Sequence, residues 1–508
     1  MITNPSEPKN APKGFLFLRH FPFAFSGPAK TKCPGMTDIV SDDTLANRPH
    51  PVGGFVCLQP WFSEARALAA LGLPLIATQL AQMAMPTTDI LMIGALGQEA
   101  LAASALGLTI YIFAFLIGLG PASAAAPIIA QIIGANPSDR AHIRVALRMG
   151  LWAMALLSMP LCLSLFFAER ALIGLGQTPE LARLAAPYAH ILGLGLPFSL
   201  GFHVLRNFAA ALGRPRAPLG IMFAAVLLNI ALDYGLIFGR LGMPEMGMLG
   251  AAVATVLSNA FCFIALAALV SFAPDFRPYR IWRRFHRPDW PRLAETFRLG
   301  LSIGLTLIFE TALFAASTLL MGRFGTAALA AHQIAMNVPS ITFMVPLGIA
   351  MAATIRVGYA AGAGDIEGAR RAGLTALMIG GAFMLACAFL FALMPHAIAG
   401  LYLDLGDPAN RSAIAYTVSF LYVVAAFQIF DGIQVVAAFA LRGLKDVRLP
   451  MLIAGLSYWG AGFPLALLFG FALGWEGVGV WIGLAASLAL AALLLTARFL
   501  HLSAVRQR

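Results

Sequence analysis

Charged residues are scarce in this sequence. Only 11% of its 508 residues are Asp, Glu, Lys or Arg, whereas 60% are hydrophobic. A soluble domain has about a quarter charged residues, so this composition excludes an ordinary soluble protein and indicates a chain that crosses a membrane many times. The net charge of +11 does not by itself indicate nucleic-acid binding, because the placement of basic residues matters more than their sum.

Cysteine pairs and nucleotide-binding motifs are also missing. The five cysteines are scattered along the chain, and no two of them form a CxxC pair, which argues against a structural metal or a disulfide framework. The sequence contains no Walker A motif, so ATP hydrolysis is not expected to drive any activity. We therefore expect neither an enzyme nor a protein with an organic cofactor.

The two ends of the chain differ from the rest in composition. Residues 1–60 are rich in Pro, Lys, Asn and Ser, and the apolar patch at 15–21 is much shorter than the roughly 20 residues that a membrane span needs. The patch also lacks a small-residue cleavage site, which argues against a signal peptide. We predict a disordered cytoplasmic tail over 1–60 and a short cytoplasmic tail over 501–508.

Between the tails, hydrophobic runs follow one another and are separated by Gly, Pro or charged residues. The first six runs cover 68–93, 104–133, 146–168, 182–212, 217–239 and 248–273. The second six cover 294–322, 331–361, 370–394, 411–442, 450–472 and 476–500. Runs of this length predict an all-α polytopic membrane protein with twelve transmembrane helices.

The second half of the chain repeats the first. Residues 71–134 align without a gap on residues 299–362, at an offset of 228 positions, and the glycines at 94, 97, 120 and 134 meet glycines at 322, 325, 348 and 362. These glycines suit turns or close helix packing. An internal repeat of this length is typical of transporters whose site lies between the two copies. We predict an N-lobe over 68–273 and a C-lobe over 294–500.

The segment between the lobes, 274–293, is the most basic part of the chain. Arginines and lysines also cluster in every second loop on the same side, whereas the loops of the other side carry five isolated arginines. By the positive-inside rule, this bias places the linker and both termini in the cytoplasm. The expected location is the inner (plasma) membrane of the cell.

Four acidic residues lie well inside the predicted spans. They are Asp89, Asp233, Glu310 and Asp431, and we find no Lys or Arg at a comparable depth. A charged side chain at the centre of a bilayer costs about 2.5–3.5 kcal/mol, so an unpaired carboxylate there indicates a function. Such a group can bind and release H+ or Na+.

Polar side chains accompany these acids at helical spacing. Asn229 and Asp233 are four residues apart and share a helix face, and Thr255 lies on the following span. Further amides form stripes that lipid would not tolerate, so we expect them to line a wet cavity: Gln82, Gln333, Asn337, Gln428 and Gln434. Ordinary hydrogen bonds between helices remain an alternative explanation for each Asn, Gln and Thr.

Three stretches carry a family resemblance that covers roughly residues 68–500. They are AQMAMPTTDILMIG at 81–94, AAHQIAMNVPSITFMVPLGIAMAATIRVG at 330–358 and FQIFDGIQVVAAFALRGLKD at 427–446. They resemble the multidrug and toxic compound extrusion (MATE) transporters, in the NorM-like branch. The resemblance implies two six-helix lobes related by pseudo-two-fold symmetry, and efflux of organic cations and drugs as a monomer, driven by Na+ or H+.

The resemblance also assigns roles to the polar residues. Asp89, Asn229, Asp233 and Thr255 match the cation site of the family's N-lobe, which makes the first three candidate Na+ ligands. Glu310 and Asp431 match the acids of the seventh and tenth helices.

Two rival functions remain open from the residues alone. A flippase for lipid-linked sugar precursors can have the same two-lobe architecture, but its anionic headgroup would need arginines inside the cavity, and we expect Arg206 and Arg356 only at cytoplasmic helix ends. A receptor or scaffold that transports nothing would not need unpaired carboxylates in both halves.

Overall fold

The computed structural model describes residues 59–505, and most of these residues lie in long α-helices. The twelve helices that span the membrane are α1 (Gln59–Gly94), α2 (Gln98–Ala135), α3 (Arg140–Leu165), α4 (Pro179–Ala211), α5 (Arg216–Phe238), α6 (Met248–Phe272), α7 (Trp290–Met321), α8 (Thr326–Gly362), α9 (Ile366–Leu393), α10 (Arg411–Gly443), α11 (Arg448–Ala472) and α12 (Glu476–Val505). The predicted all-α fold with twelve transmembrane helices is therefore confirmed. The predicted N-terminal tail lies outside the described residues, apart from its last two positions.

Several helices begin before the hydrophobic run that predicted them. Helix α3 begins at Arg140, six residues before the predicted run, because the Asp139 carboxylate caps it by accepting from the backbone N–H of His142 at 3.1 Å. Helix α7 begins at Trp290 after the same kind of cap by Asp289. Hydropathy misses such first turns because they are polar. Helix α12 likewise extends through residues 501–505, which were predicted to be tail.

The internal repeat is visible in the backbone. Gly97 precedes α2 and Gly325 precedes α8, and the two glycines share nearly the same conformation, with φ of 116° and 99°. L-residues with a side chain rarely adopt these angles, which explains why both turns carry glycine. The offset of 228 positions does not hold throughout, however, because α5 begins at Arg216 and α11 at Arg448, 232 positions later.

The two halves pack against each other through equivalent pairs of helices. Helix α1 packs on α8 while α2 packs on α7, and within the halves α1 packs on α5 while α7 packs on α11. Glycines allow the closest of these crossings: a Cβ on Gly120 would overlap the backbone of Gly300, and a Cβ on Gly348 would overlap the backbone of Ile76. This arrangement gives two six-helix lobes related by pseudo-two-fold symmetry.

We call the side of the membrane where α6 ends and α7 begins the linker face. Helices α2 and α8 end on this face and cross tightly there, since a Cβ on Gly134 would overlap the carbonyl of Tyr359 and a Cβ on Gly362 would overlap that of Gln131. The Gln131 side chain also donates to the carbonyl oxygen of Gly443 at 2.8 Å. The lobes are therefore held together at the linker face.

Helix α11 differs from its counterpart α5 in being irregular. Two π-helical stretches, Leu456–Gly462 and Leu468–Ala472, interrupt it, whereas α5 is α-helical from end to end. A π-helical stretch turns the following side chains away from the positions of a regular helix and often marks a functional site. The first stretch carries Ser457 and Tyr458, which are fully buried in the C-lobe.

Candidate functional site

A polar cluster lies inside the N-lobe, where α1, α5 and α6 meet. The hydroxyl of Thr255 donates to a carboxylate oxygen of Asp89 at 2.6 Å. Asp89 also lies within interaction range of Asp233 and Asn229, which are one helical turn apart on α5. The structure thus brings together the four residues that the sequence singled out in this half.

The cluster is buried and short of hydrogen-bond partners. Asn229 and Asp233 have no exposed surface, and Asp89 is 6% exposed. Within the described residues, no hydrogen-bond partner reaches either oxygen of Asp233, the second oxygen of Asp89 or the amide group of Asn229. Buried polar atoms in native proteins are nearly always satisfied, so these oxygens need a cation, a proton or water. Carboxylate and amide oxygens suit Na+, and paired carboxylates also suit a shared proton.

Sequence reasoning missed the neighbours of this cluster. Tyr188 of α4 is buried and interacts electrostatically with both Asp89 and Asp233. Ser258 follows Thr255 by one helical turn, is fully buried and has an unpartnered hydroxyl among the described residues. Tyrosine is common in apolar helices, so only the packing of α4 reveals that Tyr188 lies beside the acids.

A second acidic cluster lies in the C-lobe. Glu310 of α7 and Asp431 of α10 interact electrostatically, and Tyr458 of α11 faces both of them. The Tyr458 side chain also interacts with Gln434, although its hydroxyl has no hydrogen-bond partner at bonding distance among the described residues. The π-helical stretch of α11 places the tyrosine there, and a reading of helical periodicity alone would not find it.

Between the lobes lies a central cavity of about 470 Å³. Its walls are mainly apolar, and the large side chains that contribute are Met83, Phe115, Phe314, Phe343, Met344, Met351 and Phe439. Such a volume and lining suit a drug-sized molecule, and the flexible methionines can adapt to different shapes. Glu310 lines this cavity, whereas none of the four residues of the N-lobe cluster does.

Two arginines line the cavity, which corrects the expectation that basic residues lie only at its rims. Arg206 is 4% exposed and donates to Gln79 at 2.7 Å and to Gln82 at 3.2 Å. Arg442 is 7% exposed, and its guanidinium lies 3.9 Å from the centre of the Phe439 ring. Arg206 is five residues from the end of α4, so the sequence placed it correctly along the helix but could not show that it points inward.

Of the amides predicted to line a cavity, the structure places two there. Gln82 and Gln434 contribute to the lining. Gln428 is instead buried within the C-lobe, where it accepts from Thr342 at 2.9 Å. Gln333 and Asn337 are exposed outside the cavity, and Asn337 accepts from the hydroxyl of Tyr402 at 2.8 Å. The placement of these last three in the cavity was wrong.

Two histidines occupy different environments. His203 lines the cavity, where its Nε2 lies 3.1 Å from the amide nitrogen of Gln82 and its ring packs 5.5 Å from Phe115. His332 is fully buried in the C-lobe, 3.1 Å from the hydroxyl of Thr318 and beside Trp481. Hydrogen bonds and aromatic packing of this kind are usual for neutral histidines in a protein interior.

Comparison with known proteins supports both the fold and the relationship of the halves. The MatE family model matches residues 74–235 and again residues 302–468. A protein named "Probable multidrug resistance protein NorM" from Mesorhizobium japonicum is 45% identical over 442 residues, which cover 87% of this chain and 94% of that protein. Its namesake from Brucella suis is 41% identical and covers 88% and 95%.

Solved structures show the same architecture. The crystal structure of the eukaryotic MATE transporter AtDTX14 superposes with a TM-score of 0.78 at 22% identity, covering 88% of this chain and 99% of that one. A MATE structure in the bent conformation gives a TM-score of 0.79 at 20% identity. Together with the family model and the relatives, this shows that the chain is a transporter rather than an enzyme and that it belongs to the MatE family.

Proposed function

We propose that the protein is a secondary active multidrug efflux transporter, which exchanges organic cations and other drugs for Na+ or H+ by alternating access. The observation that carries this proposal is the separation of two sites. An oxygen-rich cluster suited to a cation lies inside the N-lobe, while an apolar cavity suited to a drug lies between the lobes. The relatives named for multidrug resistance support the choice of substrate.

Helix α1 connects the two sites. It carries Asp89 in the N-lobe cluster and Gln79 and Gln82 beside the cavity, and Pro74 and Pro86 interrupt its hydrogen-bond ladder. A proline inside a helix allows a bend because it removes one backbone hydrogen bond. A cation that draws Asp89 toward Asp233 can therefore bend α1 at Pro86 and shift the glutamines that hold Arg206.

Alternating access requires the two states to differ in their affinity for both the ion and the drug. Ion binding neutralises the acids of the N-lobe and favours the arrangement of α1 in which the cluster is closed. The same change in α1 alters the cavity wall and releases the drug. The tight crossing of α2 and α8 at the linker face closes that side of the cavity and must separate in the opposite state.

The C-lobe acids act at the cavity itself. Glu310 lines the cavity and is close to Asp431, so this pair attracts a cationic substrate or takes up the coupling ion. Arg442 is attracted to Glu310 and stacks on Phe439. Arg206, by contrast, donates hydrogen bonds only to neutral partners among the described residues.

We place the linker face in the cytoplasm, following the bias of basic residues. We also propose that a single chain suffices for transport.

The rival flippase function gains one observation from the structure, because Arg206 and Arg442 lie where an anionic headgroup would need them. The four phenylalanines and three methionines of the lining, together with Glu310, favour compact lipophilic cations over a pyrophosphate. The two functions differ in a direct assay, since a flippase would move a fluorescent polyprenyl-pyrophosphate sugar between leaflets and a drug exporter would not.

Transport by purified protein in liposomes tests the proposal. Uptake of a fluorescent organic cation should follow an imposed Na+ gradient or an imposed pH gradient, and it should stop when that gradient is dissipated. A protein that moves the cation equally well without either gradient is not a secondary active exporter. A protein that moves only the pyrophosphate lipid would establish the rival function.

A further inference from the structure

The connection between α6 and α7, residues 273–289, carries more basic side chains than acidic partners. It contains five arginines and two acids. Both acids are occupied elsewhere, because Asp275 pairs with Arg214 at 3.0 Å and Asp289 caps α7. Within the described residues, no carboxylate lies within ion-pair distance of the five arginines, and all five are exposed. We call them the linker arginines: Arg277, Arg280, Arg283, Arg284 and Arg287.

The backbone of this segment is fixed rather than loosely tethered. The guanidinium of Arg148 on α3 donates to the carbonyl oxygen of Arg284 at 2.7 Å, and the indole N–H of Trp152 donates to that of Phe285 at 2.8 Å. Phe276 and Ile281 are each 3% exposed and pack in the N-lobe core. The backbone that carries the linker arginines is therefore held against the N-lobe in a defined conformation.

This surface concentrates like charge. Arg148, which lies beneath the segment, is repelled by both Arg144 and Arg284 and attracted by Asp289. Guanidinium groups carry their positive charge at neutral pH. Like charges on a fixed backbone repel one another, and an anion between them removes that repulsion. The segment is therefore preorganised for an anionic ligand with several charges along its length.

The surroundings indicate a ligand that belongs to the bilayer. Phe272, at the end of α6, is 80% exposed, and Trp290, at the start of α7, is 68% exposed. Trp282 lies among the linker arginines and is 47% exposed, with its N–H donated to the hydroxyl of Ser271 at 2.7 Å. Exposed tryptophans of this kind belong at the level of lipid headgroups, where the ring meets the acyl chains and the N–H stays polar.

We propose that the linker arginines form a binding surface for anionic phospholipid headgroups, with Trp282 and Trp290 contacting the upper acyl chains. Clusters of basic residues next to a membrane span attract anionic lipids in this way, and the attraction weakens with salt. The surface lies on the segment that joins the two lobes, so bound lipid anchors this connection at the membrane surface.

The opposite face of the protein supplies a matched control. It also carries five exposed arginines, but they are spread over separate loops: Arg170, Arg183, Arg240, Arg323 and Arg411. Replacing either set with glutamine removes the same formal charge. Replacing the linker arginines with glutamine leaves in place the backbone carbonyls that accept hydrogen bonds from Arg148 and Trp152. The variant should therefore keep its fold.

The full-length protein is reconstituted in phosphatidylcholine vesicles that contain spin-labelled phosphatidylglycerol or spin-labelled phosphatidylcholine. The fraction of each label that the protein immobilises gives the lipid selectivity. Wild-type protein and the opposite-face variant should both prefer phosphatidylglycerol by several-fold, and this preference should fall with salt. The linker variant should lose most of it while unfolding at the wild-type temperature in the same vesicles.

Three outcomes would overturn the proposal. One is an unchanged selectivity in the linker variant, and another is an equal loss in the two variants, since bulk charge would then explain the effect. The third is displacement of the lipid by inorganic phosphate at low millimolar concentration, which would identify a site for a free anion. Drug transport does not enter this test, so its result stands independently of the proposed efflux function.

Discussion

The hydroxyl of Thr255 on α6 lies 2.6 Å from a carboxylate oxygen of Asp89 on α1. It is the one direct hydrogen bond that reaches this carboxylate among the described residues, and the second oxygen of Asp89 stays without a partner. The bond connects α1 to α6 in a cluster where Asp89 also interacts with Asp233 and Asn229. In the proposed mechanism, Thr255 positions Asp89 for the coupling ion.

If the coupling ion is Na+, we expect Thr255→Val to weaken its binding without abolishing transport. Valine has nearly the same shape as threonine, so the change removes the hydrogen bond and little else. A hydrogen bond to a charged group contributes about 1.5–3 kcal/mol, so the Na+ concentration that gives half-maximal transport should rise roughly tenfold or more. The measurement is the transport rate against Na+ concentration. Thr255→Ser is the control and should stay close to the wild type.

Glu310→Gln and Asp431→Asn should separate substrate binding from ion binding in the C-lobe. Each exchange keeps the size of the side chain and removes the titratable charge. If the pair binds the substrate, efflux of cationic drugs should fall more than efflux of neutral ones. If the pair binds the coupling ion, both should fall equally. Unchanged efflux of every compound by both variants would show that the pair has neither role.

Arg206→Gln should increase the affinity for a permanently charged organic cation. Arg206 places a positive charge in the cavity wall, and at a distance of about 8 Å with an effective dielectric constant of about 20 the repulsion is on the order of 2 kcal/mol. The KM for the cation should therefore fall by roughly thirtyfold if the whole repulsion is relieved, while the KM for a neutral drug stays the same. Arg216→Gln, which changes an exposed arginine at the linker face, is the control. A KM for the cation that stays the same or rises would contradict this role for Arg206.

Gly134→Ala should impair closure at the linker face. The added methyl group overlaps the backbone carbonyl of Tyr359, which cannot move aside as a flexible side chain would. We expect a wider distribution of distances between spin labels on α2 and α8 near that face, together with slower transport. Gly94→Ala is the matched control, because its methyl group would meet no atom within 4 Å. A narrow, wild-type distance distribution in Gly134→Ala would show that this crossing does not limit closure.

The sequence was sufficient for the parts of the molecule that depend on position along a helix. Twelve apolar runs predicted the helices, and the repeat of residues 71–134 at 299–362 predicted the two lobes. The i, i+4 spacing of Asn229 and Asp233 placed both on the same face of α5. Asp89 and Thr255 joined them in the site because of the family resemblance. Acids that cannot face lipid must point inward, so these residues were the easiest to identify.

The positions of the other site residues depend on how each helix is rotated about its axis and on irregular helical turns. Hydropathy records neither property. Arg206 lies near the end of α4, and only the packing of the lobes decides whether it faces solvent or the cavity. Gln333 and Asn337 have the same spacing as cavity residues but lie on an exposed face of α8. Tyr458 reaches the C-lobe acids through a π-helical stretch that no periodic pattern predicts.

The most direct test of the account is transport by Asp89→Asn under an imposed ion gradient. The variant keeps a hydrogen-bond acceptor for Thr255 but lacks the charge that a coupling ion must neutralise. In liposomes, wild-type protein should move a fluorescent organic cation against its gradient when the coupling gradient is applied, and the variant, present at the same level and equally stable, should not. Normal ion-driven transport by Asp89→Asn would contradict the proposed coupling site.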